Sequence, residues 1–143
     1  MIKHFKQLTQ LLCMLGLSNI AYAISVDTCF NIASRHYQIP TKLLRAIAQT
    51  ESRLDPLAIN MNANNSYDMG IMQINSYWLP KLSKVGIEKV ELFDACKNIQ
   101  IGAWILAQNI KQYGFNAQAI GAYNSPTPEL QKIYASKVMR NLK

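Results

Sequence analysis

The stretch AIAQTESRLDP, residues 46 to 56, decides how the rest of the chain is read. Leu43, Leu44, Ile47 and Ala48 recur at the spacing of a buried helical face. Glu51 falls on the same stripe, three residues after Ala48 and four after Ile47. Pro40 suits the first helical position, and the ring of Pro56 forces the residue before it out of the helical region. A helix is therefore predicted from Pro40 through Ser52, with a carboxylate at the end of its apolar face. Burial disfavours the charged form of a carboxyl and raises its pKa. A carboxyl that stays protonated near neutrality can donate a proton to a glycosidic oxygen. A glutamate that reaches solvent, or pairs with Arg45 or Arg53, has no such property, so the company Glu51 keeps must decide.

Outward from this helix the chain is predominantly helical with one interruption, an α+β pattern. Upstream, a helix is predicted from about Asp27 to His36, with Cys29, Ile32 and Ala33 inward. Downstream, NMNANNSYDMG at 60–70 is rich in turn-formers and is flanked by AIN and IMQIN, the signature of a small antiparallel hairpin between Ala58 and Asn75. Asp94 is an N-cap candidate for a long helix carrying Ile99, Gly102, Ala103, Leu106, Ile110 and Tyr113, closed by Gly114. With Ile101, Trp104 and Ile105 added, that helix is apolar almost all round and is expected at the centre of the core. A short helix over Ala117 to Tyr123 stops near NSP. A last helix opens at Thr127 and Pro128, with Leu130, Ile133, Tyr134 and Val138 expected inward and Lys132, Arg140 and Lys143 on a solvated outer face. There is no internal repeat or low-complexity tract.

The first 23 of the 143 residues read as a secretory signal peptide: Lys3 and Lys6, an apolar run from Leu8 to Ile20, and the small-x-small site Ala21-Tyr22-Ala23. The apolar run falls short of the roughly 20 residues that a spanning helix needs, so no membrane attachment is expected after cleavage. Residues 24–143 then form one domain, since 120 residues suffice for one core and not for two. The leader takes away two lysines and no acidic residue, so the net charge of +7 becomes +5. That balance suits an anionic polymer, but no arginine-rich run or nucleic-acid motif accompanies it. A periplasmic or secreted location is expected. Cys13 leaves with the leader, and the two remaining cysteines, Cys29 and Cys96, are expected to form a disulfide in an oxidising compartment. Closing a loop of 67 positions typically stabilises a fold by about 2–5 kcal/mol. With His36 the one histidine left and no CxxC pair, no metal site is expected.

Three blocks in order, ESRLDP at 51–56, GIMQIN at 70–75 and GAYNSP at 121–126, resemble those of the soluble lytic transglycosylases, whose domain belongs to the lysozyme-like superfamily. The resemblance runs from about Cys29 to Tyr134. It is nearest to small one-domain members that accompany specialised secretion, conjugation and pilus systems, in which CF near the mature start, LLRAIA, SYD-G-MQIN and NI-GAWILA are also found. It implies a monomeric, cofactor-free enzyme that opens peptidoglycan locally for an envelope-spanning machine. By the same resemblance Glu51 is the catalytic acid and then base. It protonates the oxygen between N-acetylmuramic acid and N-acetylglucosamine, then takes the proton of the muramoyl C6 hydroxyl, which closes a 1,6-anhydro end. Ser52, Met72 and Gln73 are implied to line the saccharide groove, and Tyr123 and Asn124 to face Glu51 or the sugar.

Two departures stand out. Ser125-Pro126 replaces the usual Ala-Gly after AYN, where proline cannot take the positive φ that glycine permits. Asp68, 17 positions after Glu51, also resembles the second carboxylate of animal c-type lysozymes. Asp68 is thus either a catalytic partner or a turn-former in an asparagine-rich hairpin, and retaining hydrolysis by a carboxylate pair stays open beside the anhydro route. A non-catalytic glycan-binding module of an assembly apparatus is the alternative outside enzymology.

Overall fold

The computed structural model describes residues 24–142; residues 1–23, on which the expected leader and Cys13 fall, and Lys143 lie outside them. Helix α1 (Val26–Tyr37) begins where the Ser25 hydroxyl accepts the Thr28 N–H, and α2 (Thr41–Ser52) follows with Pro40 as its N-cap. A three-stranded antiparallel sheet comes next, in the order β1 (Ile59–Met61), β2 (Tyr67–Met69), β3 (Ile74–Asn75). A 3-10 turn over Ser76–Trp78 leads into the short α3 (Leu79–Ser83), and a second 3-10 turn, Lys89–Phe93, precedes the long α4 (Ala95–Tyr113). Helices α5 (Ala117–Ala122) and α6 (Pro128–Arg140) complete the α+β, lysozyme-like architecture.

The long helix is the axis of the core, as its composition predicts. Asp94 caps it by accepting the Lys97 N–H, and Gly114 ends it at φ 81, a conformation in which glycine alone is unstrained. Ile99, Ala103 and Leu106 are fully buried together with Phe30 of α1 and Leu44 and Ile47 of α2. Where α4 passes the sheet, Gly102 lets Met72 come so close that a Cβ would sit 2.8 Å from the methionine side chain. Cys29 and Cys96 form the expected disulfide and join α1 to the first turn of α4.

Three expectations are corrected. AIN does not pair with IMQIN as a simple hairpin. Its partner is Tyr67–Met69, with Asn60 opposite Asp68, and only the last two residues of IMQIN form the third strand. The Asn-rich turn is shorter than its run of turn-formers suggested because Asn62 and Ser66 close it by hydrogen bonds on both backbone and side chain. In α1, Ile32 is 39% exposed and Phe30 takes the buried place beside Cys29 and Ala33. In α6, Tyr134 and Val138 point inward, but Leu130 and Ile133 are 49% and 54% exposed, and Gln131 and Ala135 complete the buried face. The helix is rotated that way because Gly121 of α5 packs directly against Gln131, whose carbonyl would lie 2.4 Å from an added Cβ.

Candidate active site

Glu51 lies in the last turn of α2. Beyond it the chain turns sharply, with Arg53 at φ 57 and Leu54 at φ 67, a pair of left-handed non-glycine residues that costs energy and is held by the surrounding structure. Ser52 supplies part of that hold. Its hydroxyl donates to the Ile71 carbonyl at 2.7 Å and accepts the Asp55 N–H at 3.0 Å. Ser52 is therefore a tie between α2 and the 70–73 loop, and it does not line the cleft as the sequence implied.

The Glu51 side chain keeps an opening to the cleft, while its carboxyl is largely enclosed. Tyr134 of α6 donates its hydroxyl to Oε1 at 2.5 Å. Burial pushes the Glu51 pKa up from 4.5 to about 7; the Tyr134 hydrogen bond opposes the rise, and the nearby Asp68 charge adds to it. At neutral pH this carboxyl is thus divided between its acid and base forms, the state that suits a group asked to give a proton and take one back. Burial and the adjacent Glu51 hold the Tyr134 hydroxyl far above its ordinary pKa, so it stays a donor.

Across the cleft, Asp68 is fixed on β2. The Asn75 amide donates to its Oδ1 at 2.6 Å and the Asn62 amide to its Oδ2 at 2.9 Å. The same carboxyl group ties the turn to β3 and lines the cleft that holds Glu51. Two amide donors hold the carboxyl group in place, and among the described residues no salt bridge reaches it.

The other expected residues divide. Tyr123 lines the cleft, donates its hydroxyl to the Met72 carbonyl at 2.8 Å, and stacks beside Tyr134 with ring centroids 6.5 Å apart. Asn124 is exposed at the cleft mouth. Gln73 also borders the cleft, but its amide is engaged, donating to the carbonyls of Ala58 and Gly70 and accepting from Asn60. It shapes the floor at a strained φ of 50. The Met72 side chain is fully buried against Gly102, so the expectation that it forms an apolar cleft wall is corrected; only its carbonyl contributes, by anchoring Tyr123. Ser125-Pro126 causes no strain, since neither residue has a positive φ. The buried Ser125 instead fixes the loop, its hydroxyl accepting the Thr127 N–H and its carbonyl the Gln131 amide.

Several residues that shape the cleft were missed from the sequence. Trp78 and Ile105 supply apolar cleft walls, and Asn62, Asn64, Ser66 and Asn75 supply polar ones, around a cleft of about 460 Å³. The asparagines were visible only as turn-formers. Asn98, fully buried on α4, donates to the carbonyls of Met69 and Leu92 and accepts the Met72 N–H at 2.8 Å, pinning the GIMQIN loop under the cleft. Tyr134, taken as a core residue, is the group that holds Glu51. Among the described residues, no three His, Cys, Asp or Glu side chains gather as metal ligands would, and no helix is long and apolar enough to cross a membrane.

This arrangement, an enclosed carboxyl facing a cleft lined by polar side chains, suits acid–base chemistry on a polar polymer. The Transglycosylase SLT domain family matches residues 28–139. The chain is 40% identical over 131 residues to "Invasion protein IagB" of Salmonella typhi, covering 85% of this chain and 82% of that one. It is 36% identical over 136 residues to "X polypeptide" of Escherichia coli strain K12, covering 90% and 79%. Over 105 residues it is 37% identical to "Protein IpgF" of Shigella flexneri, covering 73% and 69%. The helical fold, the cleft around Glu51 and a match over most of its length identify the chain as a member of the SLT transglycosylase family, lytic enzymes of peptidoglycan.

Proposed function

We propose that Glu51 is the single acid–base of a reaction that cuts the bond between N-acetylmuramic acid and N-acetylglucosamine and leaves a 1,6-anhydromuramoyl end. In the first half, the Glu51 proton passes to the glycosidic oxygen as the bond from that oxygen to muramoyl C1 breaks. The Asp68 carboxylate faces the positive charge that grows on C1, which preorganised negative charge stabilises. In the second half, the Glu51 carboxylate takes the C6 hydroxyl proton while O6 bonds to C1. Glu51 recovers its proton and water supplies no atom. The observation that carries this proposal is the enclosed Glu51 carboxyl, held at one oxygen by Tyr134 and poised near neutrality.

Lysozyme-type hydrolysis is the second reading, and Asp68 in the same cleft favours it. Against it stands the engagement of both Asp68 oxygens by Asn62 and Asn75, which suits a fixed charge better than a nucleophile. The enzyme acts outside the cytoplasm after loss of residues 1–23 and opens the wall locally for a secretion, conjugation or pilus apparatus. The similarity to a protein named for invasion supports this role. Clearing of peptidoglycan in a zymogram tests the catalytic claim. Wild type should clear it and Glu51→Gln should fall by at least the roughly 10²–10⁴-fold assigned to acid–base catalysis. A well-folded Glu51→Gln that clears at the wild-type rate would remove Glu51 from the mechanism and leave the binding-module alternative.

A further inference from the structure

A second aromatic ring packs on the cleft wall. Trp78 lines the cleft, and Trp104 of α4 meets it edge to face, with ring centroids 5.3 Å apart. Trp104 in turn lines a separate hollow of about 350 Å³ that shares no residue with the cleft. This hollow lies between the turn after α3 and the α4 face that carries Lys97, Ile101 and Trp104, positions spaced three, four and seven apart.

Its chemistry is the reverse of the cleft's. Leu82, Val85, Ile87 and Ile101 join Trp104 in a lining that is chiefly apolar, whereas amides, hydroxyls and carboxyls line the cleft. Val85 is 72% exposed, yet its place is fixed. The Val85 and Ile87 N–H groups both donate to the Leu82 carbonyl at 3.0 Å, and Gly86 turns the chain between them at φ 79. An apolar side chain held out on a hydrogen-bonded turn loses little freedom when something packs on it. Two lysines and no carboxylate line the hollow. Lys97 is tied to Glu91, but Lys81 forms no ion pair among the described residues. Its ammonium lies 5.0 Å from the centroid of the Trp104 ring and 5.6 Å from that of Trp78.

These features select an occupant. A sugar ring, covered in hydroxyls, would find few partners on this lining. An anionic membrane surface is recognised by roughly four to eight clustered basic residues, whereas residues 81–97 set four lysines against Glu88, Glu91 and Asp94, a net of +1. A single carboxylate meets no such opposition at Lys81. A protein segment that carries a bulky apolar side chain beside an acidic one matches both the recess and the charge. We infer that this hollow is a docking site for a protein partner, which packs a bulky apolar side chain against Val85 and Trp104 and pairs a flanking carboxylate with Lys81. The site is independent of the catalytic proposal. A partner seated there leaves the cleft open and touches its wall through the Trp104–Trp78 pair.

The probe is a capped tetrapeptide of two leucines flanked by glutamates, with the same peptide flanked by lysines as control. Each is titrated into the mature chain while the Trp104 indole N–H and the Val85 methyl resonances are followed by NMR. The glutamate peptide should shift both saturably and bind about two- to fivefold more tightly than the control, the size expected of an exposed ion pair. Lys81→Glu should remove that preference and Val85→Asp should weaken binding severalfold. Both side chains are exposed, so both variants should keep the wild-type circular dichroism. Glu51→Gln should bind the peptide as the wild type does, so a failure of the catalytic proposal leaves this readout intact. No shift at millimolar glutamate peptide, or a preference that survives Lys81→Glu, would overturn the inference. So would cosedimentation with phosphatidylglycerol vesicles that Val85→Asp abolishes while the peptide shifts neither resonance, which would make the hollow a membrane contact.

Discussion

Replacing Glu51 by glutamine should make the folded protein more stable, and only above mildly acidic pH. The folded carboxyl has its pKa raised from 4.5 to about 7, chiefly by burial. Below pH 4.5 both folded and unfolded chains hold the proton, and the group places no burden on folding. Between 4.5 and 7 the unfolded chain releases its proton while the folded chain keeps it, so wild-type stability falls as pH rises through this window. At roughly 1.4 kcal/mol per pH unit the loss amounts to about 3 kcal/mol and is complete above pH 7. Glutamine does not titrate, and its amide oxygen can still accept the Tyr134 hydroxyl. Urea unfolding of both proteins at pH 4 and pH 8 isolates the effect, because the other titrating groups are common to both. The stability of the variant relative to wild type should be about 3 kcal/mol more favourable at pH 8 than at pH 4, or roughly 10 °C in Tm for a domain of this size. An equal difference at the two pH values would mean that the carboxyl is not desolvated, and the argument for its proton transfer would fail with it.

Two substitutions should move the alkaline limb of kcat/KM in opposite directions. Tyr134→Phe removes the hydrogen bond that lowers the Glu51 pKa, so the limb should shift to higher pH while the rate falls; Asp68→Asn removes a neighbouring negative charge, so the limb should shift to lower pH. A shift of the same sign in both would contradict the electrostatics. Asp68→Asn should also slow the reaction without changing its product. Asn98→Leu should cost about 3 kcal/mol or more, since buried carbonyls of Met69 and Leu92 and the Met72 N–H lose their partner; a loss under about 1 kcal/mol in urea unfolding would show that the loop does not depend on it. Reduction should add the mass of two hydrogens to the mature protein and cost about 2–5 kcal/mol through the Cys29–Cys96 bridge, and an unchanged mass would exclude the bridge.

Much of the fold was legible because local rules and tertiary packing agree. Asp94 and Gly114 bound α4 through capping chemistry that acts within a few residues, and its all-round apolar composition has no other home than the core. The misreadings have a common physical cause, which is that side-chain direction depends on what packs opposite. Leu130 and Ile133 satisfy a helical period, but Gly121 draws Gln131 inward and turns them out. Met72 sits beside Gln73 in a block that implied a groove wall, yet Gly102, 30 positions away, opens a slot in α4 that swallows it. In the site, the apolar stripe drew attention to Glu51, but only the blocks ESRLDP, GIMQIN and GAYNSP together singled it out from a solvent-facing glutamate. Tyr134 was not, because its hydroxyl meets Glu51 across 83 positions of sequence and its spacing on α6 is that of any core residue. The cleft asparagines carried a turn signal and nothing more, since the bonds that aim them at Asp68 exist only once β2 and β3 pair.

The central claim is that Glu51 serves as acid and base while the C6 hydroxyl of the substrate, and not water, closes the reaction. Digestion of purified peptidoglycan by the mature wild-type protein in water enriched in heavy oxygen, followed by mass spectrometry of the released muropeptides, tests it directly. The predicted products are 1,6-anhydro species, lighter by one water than the hydrolytic fragments and free of the heavy isotope. Reducing-end products carrying one heavy oxygen at C1 would contradict the claim and make the enzyme a hydrolase that uses Glu51 and Asp68 as its carboxylate pair.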